Sequence, residues 1–338
     1  MLVDQPSHAH PRRDADDGPR LARREPQLSS DGRIGRPLDA TPFDGPDQVG
    51  ARLAEVGYLA DDEVASAVHL ATALERPLLT EGPPGVGKTA LARALASCSG
   101  RRLVRLQCHE GIDDARALYE WDYGRQLLAT QLLARDGVPA TELTALFDES
   151  FLLERPLLTA IRSPEPVVLL VDEVDRADEA FDALLLEVLD EAQVTIPELG
   201  TITAVARPWV VLTSNETREL ADALKRRCLR LGIGYPDPQQ ERAIITAAVP
   251  DLVPELTSRL VDALERLRAA ALHQPPGVAE ALEWARALVV LGADELDDTA
   301  IRRTLPTLLK HGRDESTMRS VLAEAGRAAA GAFDASTP

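Results

Sequence analysis

Eight consecutive residues of this chain, Gly82-Pro83-Pro84-Gly85-Val86-Gly87-Lys88-Thr89, have the types and spacing needed to hold a polyphosphate. They follow a short apolar run, Pro77 to Thr80, that reads as a strand, and they lead into Ala90 to Ala96, which reads as a helix. Glycines between a strand and a helix let successive backbone N–H groups point into one concavity. The positive end of the helix favours an anion there. Lys88 would reach the β- and γ-phosphates and the Thr89 hydroxyl would hold Mg²⁺. The segment from Gly82 to Ala90 is therefore expected to bind a nucleoside triphosphate.

Hydrolysis needs further polar groups at the same place. Val167 to Val171 is a run of five apolar residues, three of them β-branched, which suits a parallel strand buried on both faces. Asp172 and Glu173 follow it, at the carboxyl edge where open α/β sheets bind ligands. Asp172 would hold Mg²⁺ directly or through water, and Glu173 would polarise the attacking water. A third strand, Trp209 to Ser214, ends in Asn215, whose amide could donate to the γ-phosphate or orient the water. After a helical stretch from Glu219 to Leu224 come Lys225, Arg226 and Arg227. Clustered arginines are usually a solvated face; in an assembling ATPase they can project into a neighbour's nucleotide site and stabilise transition-state charge.

This order of motifs resembles the AAA+ ATPases. Asp172-Glu173-Val174-Asp175-Arg176-Ala177, Gly234-Tyr235-Pro236 and the segment from Gln193 to Ala206 look like the MoxR-type branch. Within that segment, Val194 to Thr203 alternates apolar and polar residues around Gly200 and reads as a β-hairpin. The resemblance covers roughly residues 50–312. It implies an α/β fold: a P-loop NTPase core, with a mostly parallel sheet flanked by helices, followed by a smaller all-α lid domain. It also implies that Lys88 and Thr89 belong to Walker A and Asp172 and Glu173 to Walker B. Asn215 is then sensor 1, and Arg227 the arginine finger, with adjacent Arg226 as the alternative. Where many members carry a second sensor arginine, this chain has Pro275-Pro276-Gly277-Val278. Arg286, two turns later, either takes that role and binds nucleotide or is an ordinary surface residue.

Composition sets bounds. With 338 residues the chain can hold a core domain and a smaller one, and its net charge of −18 argues against wrapping a nucleic acid. It has no apolar stretch long enough to cross a membrane, so no membrane insertion and a cytoplasmic location are expected. Cys98, Cys108 and Cys228 are far apart and suit buried reduced thiols.

Residues 1–47, rich in Pro, Asp and Arg, read as a disordered tail or as the result of a start codon placed too early. The core is expected over 48–236, the helical lid over 237–312, and a flexible segment over 313–338. In the lid, Gln239 to Ala248, Glu255 to Ala270, Val278 to Leu291 and Asp297 to Leu309 read as amphipathic helices. Between the strand Leu103 to Leu106 and Walker B, helices are expected at Ile112 to Leu118, Arg125 to Ala134 and Ser150 to Ile161. The Tyr119 to Tyr123 cluster there either contacts another molecule or packs on its own segment.

The expected function is ATP hydrolysis by a ring, a hexameric homo-oligomer, because a lone subunit lacks the finger arginine in its own site. The resemblance implies chaperone-like remodelling or maturation of a client protein or metalloenzyme, often with a von Willebrand factor A domain partner. The likeness is greatest to members associated with carbon monoxide dehydrogenase maturation. A nucleic-acid motor and a nucleotide-gated scaffold without hydrolysis are the alternatives. The absence of Lys or Arg from the Val194 to Thr203 hairpin weighs against the first, and the presence of Glu173 and the arginine pair against the second.

Overall fold

Side-chain alternation along the central strands sets the layers. In Val167–Asp172, Val167, Leu169 and Val171 pack into one apolar cluster, and Val168 and Leu170 into another on the opposite face. A strand apolar on both faces needs helices on both. The computed structural model describes residues 43–135 and 147–334.

The chain begins with α1 (Pro46–Glu55), α2 (Asp62–Ala73), β1 (Leu78–Glu81), α3 (Lys88–Ser99) and β2 (Arg102–Gln107). An inserted region follows: α4 (Asp114–Ala117), β3 (Tyr119–Trp121), α5 (Tyr123–Arg135), β4 (Leu152–Glu154) and α6 (Pro156–Ile161). Then come β5 (Val167–Asp172), α7 (Glu179–Glu191), β6 (Gln193–Ile196), β7 (Gly200–Thr203), β8 (Trp209–Ser214), α8 (Asp222–Arg227) and β9 (Leu229–Gly232). The last part is helical: α9 (Pro238–Ala248), α10 (Pro254–Ala269), α11 (Val278–Val290), α12 (Asp298–Leu308) and α13 (Glu315–Asp334).

Five strands form one parallel sheet in the order β2-β5-β8-β1-β9. Helices α1, α2 and α3 cover one face, and α6 and α7 the other. All strands therefore end at the same edge, where the polar groups collect. Helices α9 to α13 enclose a separate core around Trp284, whose indole N–H donates to Thr304 Oγ1 at 2.8 Å. Arg268 stitches this region together. Its guanidinium makes a two-point contact with the buried Glu241 at 2.8 and 2.6 Å, donates to Pro276 O, and lies over the Tyr235 ring.

Several expectations are corrected. Ser150 to Ile161 is not one helix, because Leu152–Glu154 pairs antiparallel with Tyr119–Trp121 and Pro156 opens a new helix at its first turn. That ladder places Trp121 inside, edge-on to Tyr119 and Phe147, while Tyr123 is exposed. The helix expected at Glu219 to Leu224 lies at Asp222–Arg227, so both arginines sit in its last turn. At the start, Phe43 is buried and α1 begins at Pro46; the rest of the expected tail lies outside the described residues.

The segment after 312 contains a helix over Glu315–Asp334 where fraying was expected. Met318 and Leu322, one turn apart, bury fully in the lid core, which gives the helix an apolar face to hold it. Leu322→Ala should therefore cost about 2–5 kcal/mol of lid stability, read as a lowered unfolding midpoint. An unchanged midpoint would return this helix to the status of a loose end.

Candidate active site

The turn between β1 and α3 is shaped by close approach. An added Cβ on Gly82, at φ +144°, would come within 2.1 Å of the Ile233 carbonyl oxygen, so only glycine fits beside the end of β9. Gly87, at φ 105°, ends the turn, and α3 starts at Lys88 with no side-chain cap on its first N–H groups. Those free donors suit an anion.

Lys88 is 6% exposed. Its ammonium donates to Gly82 O and Pro83 O, both at 2.7 Å, and to Asn215 Oδ1 at 2.8 Å, which uses all three of its N–H donors inside the chain. Burial lowers its pKa from the ordinary lysine value, against the pull of Asp175, Asp172, Glu173 and Glu216. A phosphate arriving at this loop would replace those carbonyl acceptors with charged ones.

Asp172 is buried at the end of β5, 2% exposed. One carboxylate oxygen accepts from Thr89 Oγ1 at 2.8 Å and from Thr213 Oγ1 at 2.7 Å. The other accepts from Arg105 of β2, at 3.1 Å from Nε and 2.6 Å from Nη2. A carboxylate beside a threonine hydroxyl is the sparse oxygen set that Mg²⁺ uses when phosphates supply other ligands. The guanidinium already held at Asp172 marks it as a position that attracts a cation. The residues present therefore fit the ion.

Glu173 stands in the left-handed backbone region at φ 56°, a conformation that costs a non-glycine residue about 1–3 kcal/mol. Its N–H donates to Thr213 Oγ1 at 2.8 Å, which fixes the turn. Its carboxylate accepts from Gln107 Nε2 at 3.0 Å and Arg176 Nη1 at 3.1 Å. Asp175, just beyond, accepts from Thr217 Oγ1 at 2.6 Å and from the N–H groups of Thr217 and Asn215. Burial pushes the Asp175 carboxyl up, but these hydrogen bonds outweigh it and hold it below the usual carboxylate value. Asp175 thus ties the loop after β8 to the loop after β5 and positions Asn215.

The arginines lie apart from this cluster, on α8. Arg227 Nε donates to Asp190 Oδ2 of α7 at 2.8 Å and its Nη1 to Ala223 O, while Arg226 is exposed. Arg76, just before β1, donates to the carbonyls of Arg226, Arg227 and Cys228 and clamps the end of α8. Buried Asp182 holds the loop entering α8 through Arg218 and the Ala221 N–H. Arg286 is exposed on α11 and does not line the cleft described next.

Beside the loop lies an apolar cleft with about 850 Å³ of empty space, part of it open to solvent. Tyr58, Val64, Val86, Ile233, Tyr235 and Leu282 are among its walls, so core and lid both contribute. The lid also touches the loop directly: Ala279 N donates to Gly85 O at 3.2 Å, and a Cβ on Gly277 would meet Gly85 backbone at 2.8 Å.

Sequence reasoning missed Arg105, Gln107, Thr213, Asp175 and the Gly85–Gly277 contact. The advance signals were Asp175 in the motif from Asp172 to Ala177 and a polar residue, Gln107, just after the apolar strand Leu103 to Leu106.

Among the described residues no helix is long and apolar enough to cross a membrane, and all three cysteines are buried and free.

Residues 77–228 match the family profile of the AAA domain of the dynein-related subfamily. Among curated proteins, NorQ of Paracoccus denitrificans is 24% identical over 195 residues, 56% of this chain and 63% of NorQ. Chaperone MoxR1 of Mycobacterium tuberculosis is 28% identical over 178 residues, 50% of this chain and 39% of MoxR1. The chain thus spans less than two thirds of the length of these relatives. A solved point mutant of Thermotoga maritima RuvB aligns with a TM-score of 0.43 at 18% identity, over 80% of this chain and 72% of that one. The profile match over residues 77–228 and the parallel sheet with its phosphate loop agree on the P-loop NTPase fold, followed by a helical C-terminal region.

Proposed function

We propose that this chain binds ATP with Mg²⁺ between core and lid and hydrolyses it in a ring of six copies, each lending an arginine to its neighbour. The observation that carries this reading is the convergence of five residues at one sheet edge: Lys88 is bonded to Asn215, and Thr89, Asp172 and Glu173 are joined through Thr213. The apolar cleft beside the loop has room for a nucleoside base, and α11 contributes Val278 and Leu282 to its wall.

In this reading the loop N–H groups and Lys88 cradle the phosphates, and Lys88 exchanges the Gly82 and Pro83 carbonyls for phosphate oxygens. Thr89 and Asp172 hold Mg²⁺, which when bound neutralises developing phosphate charge. Asn215 stays beside Lys88 and orients the water or the γ-phosphate. Glu173 accepts from the attacking water once Gln107 and Arg176 release its carboxylate. Arg227 has its Nε fixed by Asp190, while Nη2 has no hydrogen bond among the described residues, so it could reach outward without losing its anchor.

The work done with that energy is, on this proposal, chaperone-like remodelling or maturation of a client protein or metalloenzyme in the cytoplasm. A von Willebrand factor A domain protein is the proposed partner, and carbon monoxide dehydrogenase maturation the proposed setting. The similarity to Chaperone MoxR1 supports the chaperone class. The hairpin of β6 and β7 has no Lys or Arg, which speaks against nucleic acid as the client.

Glu173→Gln should keep ATP binding and stall hydrolysis, leaving the ATP-bound assembly trapped, because the amide keeps the shape and loses the charge. Turnover at the wild-type rate in that variant would move the base elsewhere. Arg227→Ala should lower turnover about 10³-fold or more with ATP affinity nearly intact. Arg226→Ala should be milder, since neighbouring helix positions point about 100° apart. Mixing Arg227→Ala with Lys88→Ala protein should restore partial activity, because some sites then join a competent phosphate loop to an intact Arg227. No recovery in the mixture would argue against a finger acting between copies.

A further inference from the structure

Arg105 is a strand residue whose guanidinium binds Asp172 directly and reaches Glu173 only through Gln107. Its Nε and Nη2 donate to Asp172 Oδ2, and the same Nη2 donates to Gln107 Oε1. Gln107 then donates from Nε2 to Glu173 Oε2 at 3.0 Å. With the amide oxygen of Gln107 taken by Arg105, only its NH₂ end can face Glu173. One cation therefore compensates Asp172 directly and fixes the amide that holds Glu173. The two partners differ in freedom: the Asp172 side chain is 3% exposed, whereas that of Arg105 is 41% exposed and can swing into solvent.

We propose that Arg105 is a positioning residue that stands in for the divalent cation at Asp172 while the site holds no nucleotide. When the cation arrives with nucleotide, Arg105 gives up Asp172 and turns into solvent. The proposal rests on the reading of Asp172 as a cation ligand. Its physical basis is that a guanidinium on Asp172 Oδ2 and a divalent cation on Oδ1 beside Thr89 repel each other across one carboxylate, and that a buried carboxylate left without either is costly. Of the two cations, the long exposed side chain is the one able to leave.

The test is Arg105→Met, which keeps length and removes charge, in the full chain. A fluorescent ATP analogue is titrated in EDTA and at rising Mg²⁺, and melting temperatures are taken with and without the Mg²⁺–nucleotide. In EDTA the variant and wild type should bind the analogue alike. The Mg²⁺ concentration at half-effect should fall about tenfold in the variant, because the competing charge is gone. The nucleotide-free variant should melt below wild type, and Mg²⁺–nucleotide should return it to the wild-type bound value. Arg105→Lys, which keeps the charge, should bring the Mg²⁺ midpoint back toward wild type. An unchanged or higher midpoint in Arg105→Met overturns the proposal. So does loss of triphosphate affinity in EDTA with ADP affinity kept, which would make Arg105 a γ-phosphate ligand. Failure of the wild type to bind the analogue under either condition would remove the nucleotide site itself, and this proposal with it.

Discussion

A carboxylate buried at the end of a central strand has to be compensated, and much of the site follows from how Asp172 is. Taking such a charge out of water costs several kcal/mol, recovered only when its oxygens are well partnered. Here each partner comes from a different element: Thr89 from the first turn of α3, Thr213 from β8 and Arg105 from β2. The parallel register that pairs Val171 with Leu212 and Gln107 with Asp172 is what sets them in place. A slip of one residue would turn Thr213 and Arg105 to the opposite face of the sheet and leave the charge alone. The apolar packing on both faces of β5 thus does more than stabilise the core, because it fixes the alignment on which the polar edge depends.

A second constraint links the phosphate loop to the parts around it. Gly82 accepts the Ile233 carbonyl at a distance no side chain would tolerate, and Gly85 meets Gly277 backbone to backbone. Through these contacts a shift of the loop is felt at the end of β9 and at the first turn of α11. The lid core behind α11 is separate and well filled around Trp284, so it can respond as a unit.

Much of this was legible in the sequence because local pattern and tertiary role coincide. The glycine-rich octapeptide needs its own backbone geometry wherever it occurs, and Val167 to Val171 is apolar on both faces because both faces are covered. Asp61 caps α2 by accepting from Val64 N, as its place before a helical apolar pattern suggests. The parts that were not legible depend on partners distant in sequence. An arginine on an edge strand reads as solvent-facing until Asp172 is placed beside it. Gly277 in a Pro-Pro-Gly run reads as a turn, although its φ is ordinary and the reason for glycine lies across the cleft. Leu152–Glu154 is a strand only because Tyr119–Trp121 pairs with it. For α13 the signal was present, since Met318 and Leu322 have helical spacing, but the alanine-rich stretch after them obscured it.

The claim on which the whole account rests is that the β1–α3 loop holds a triphosphate through Lys88. Calorimetric titration of Mg²⁺–ATP into the wild type and into Lys88→Ala tests it most directly. The account predicts saturable binding by the wild type and none by the variant, with both proteins folded by circular dichroism. Equal affinities in the two would contradict it.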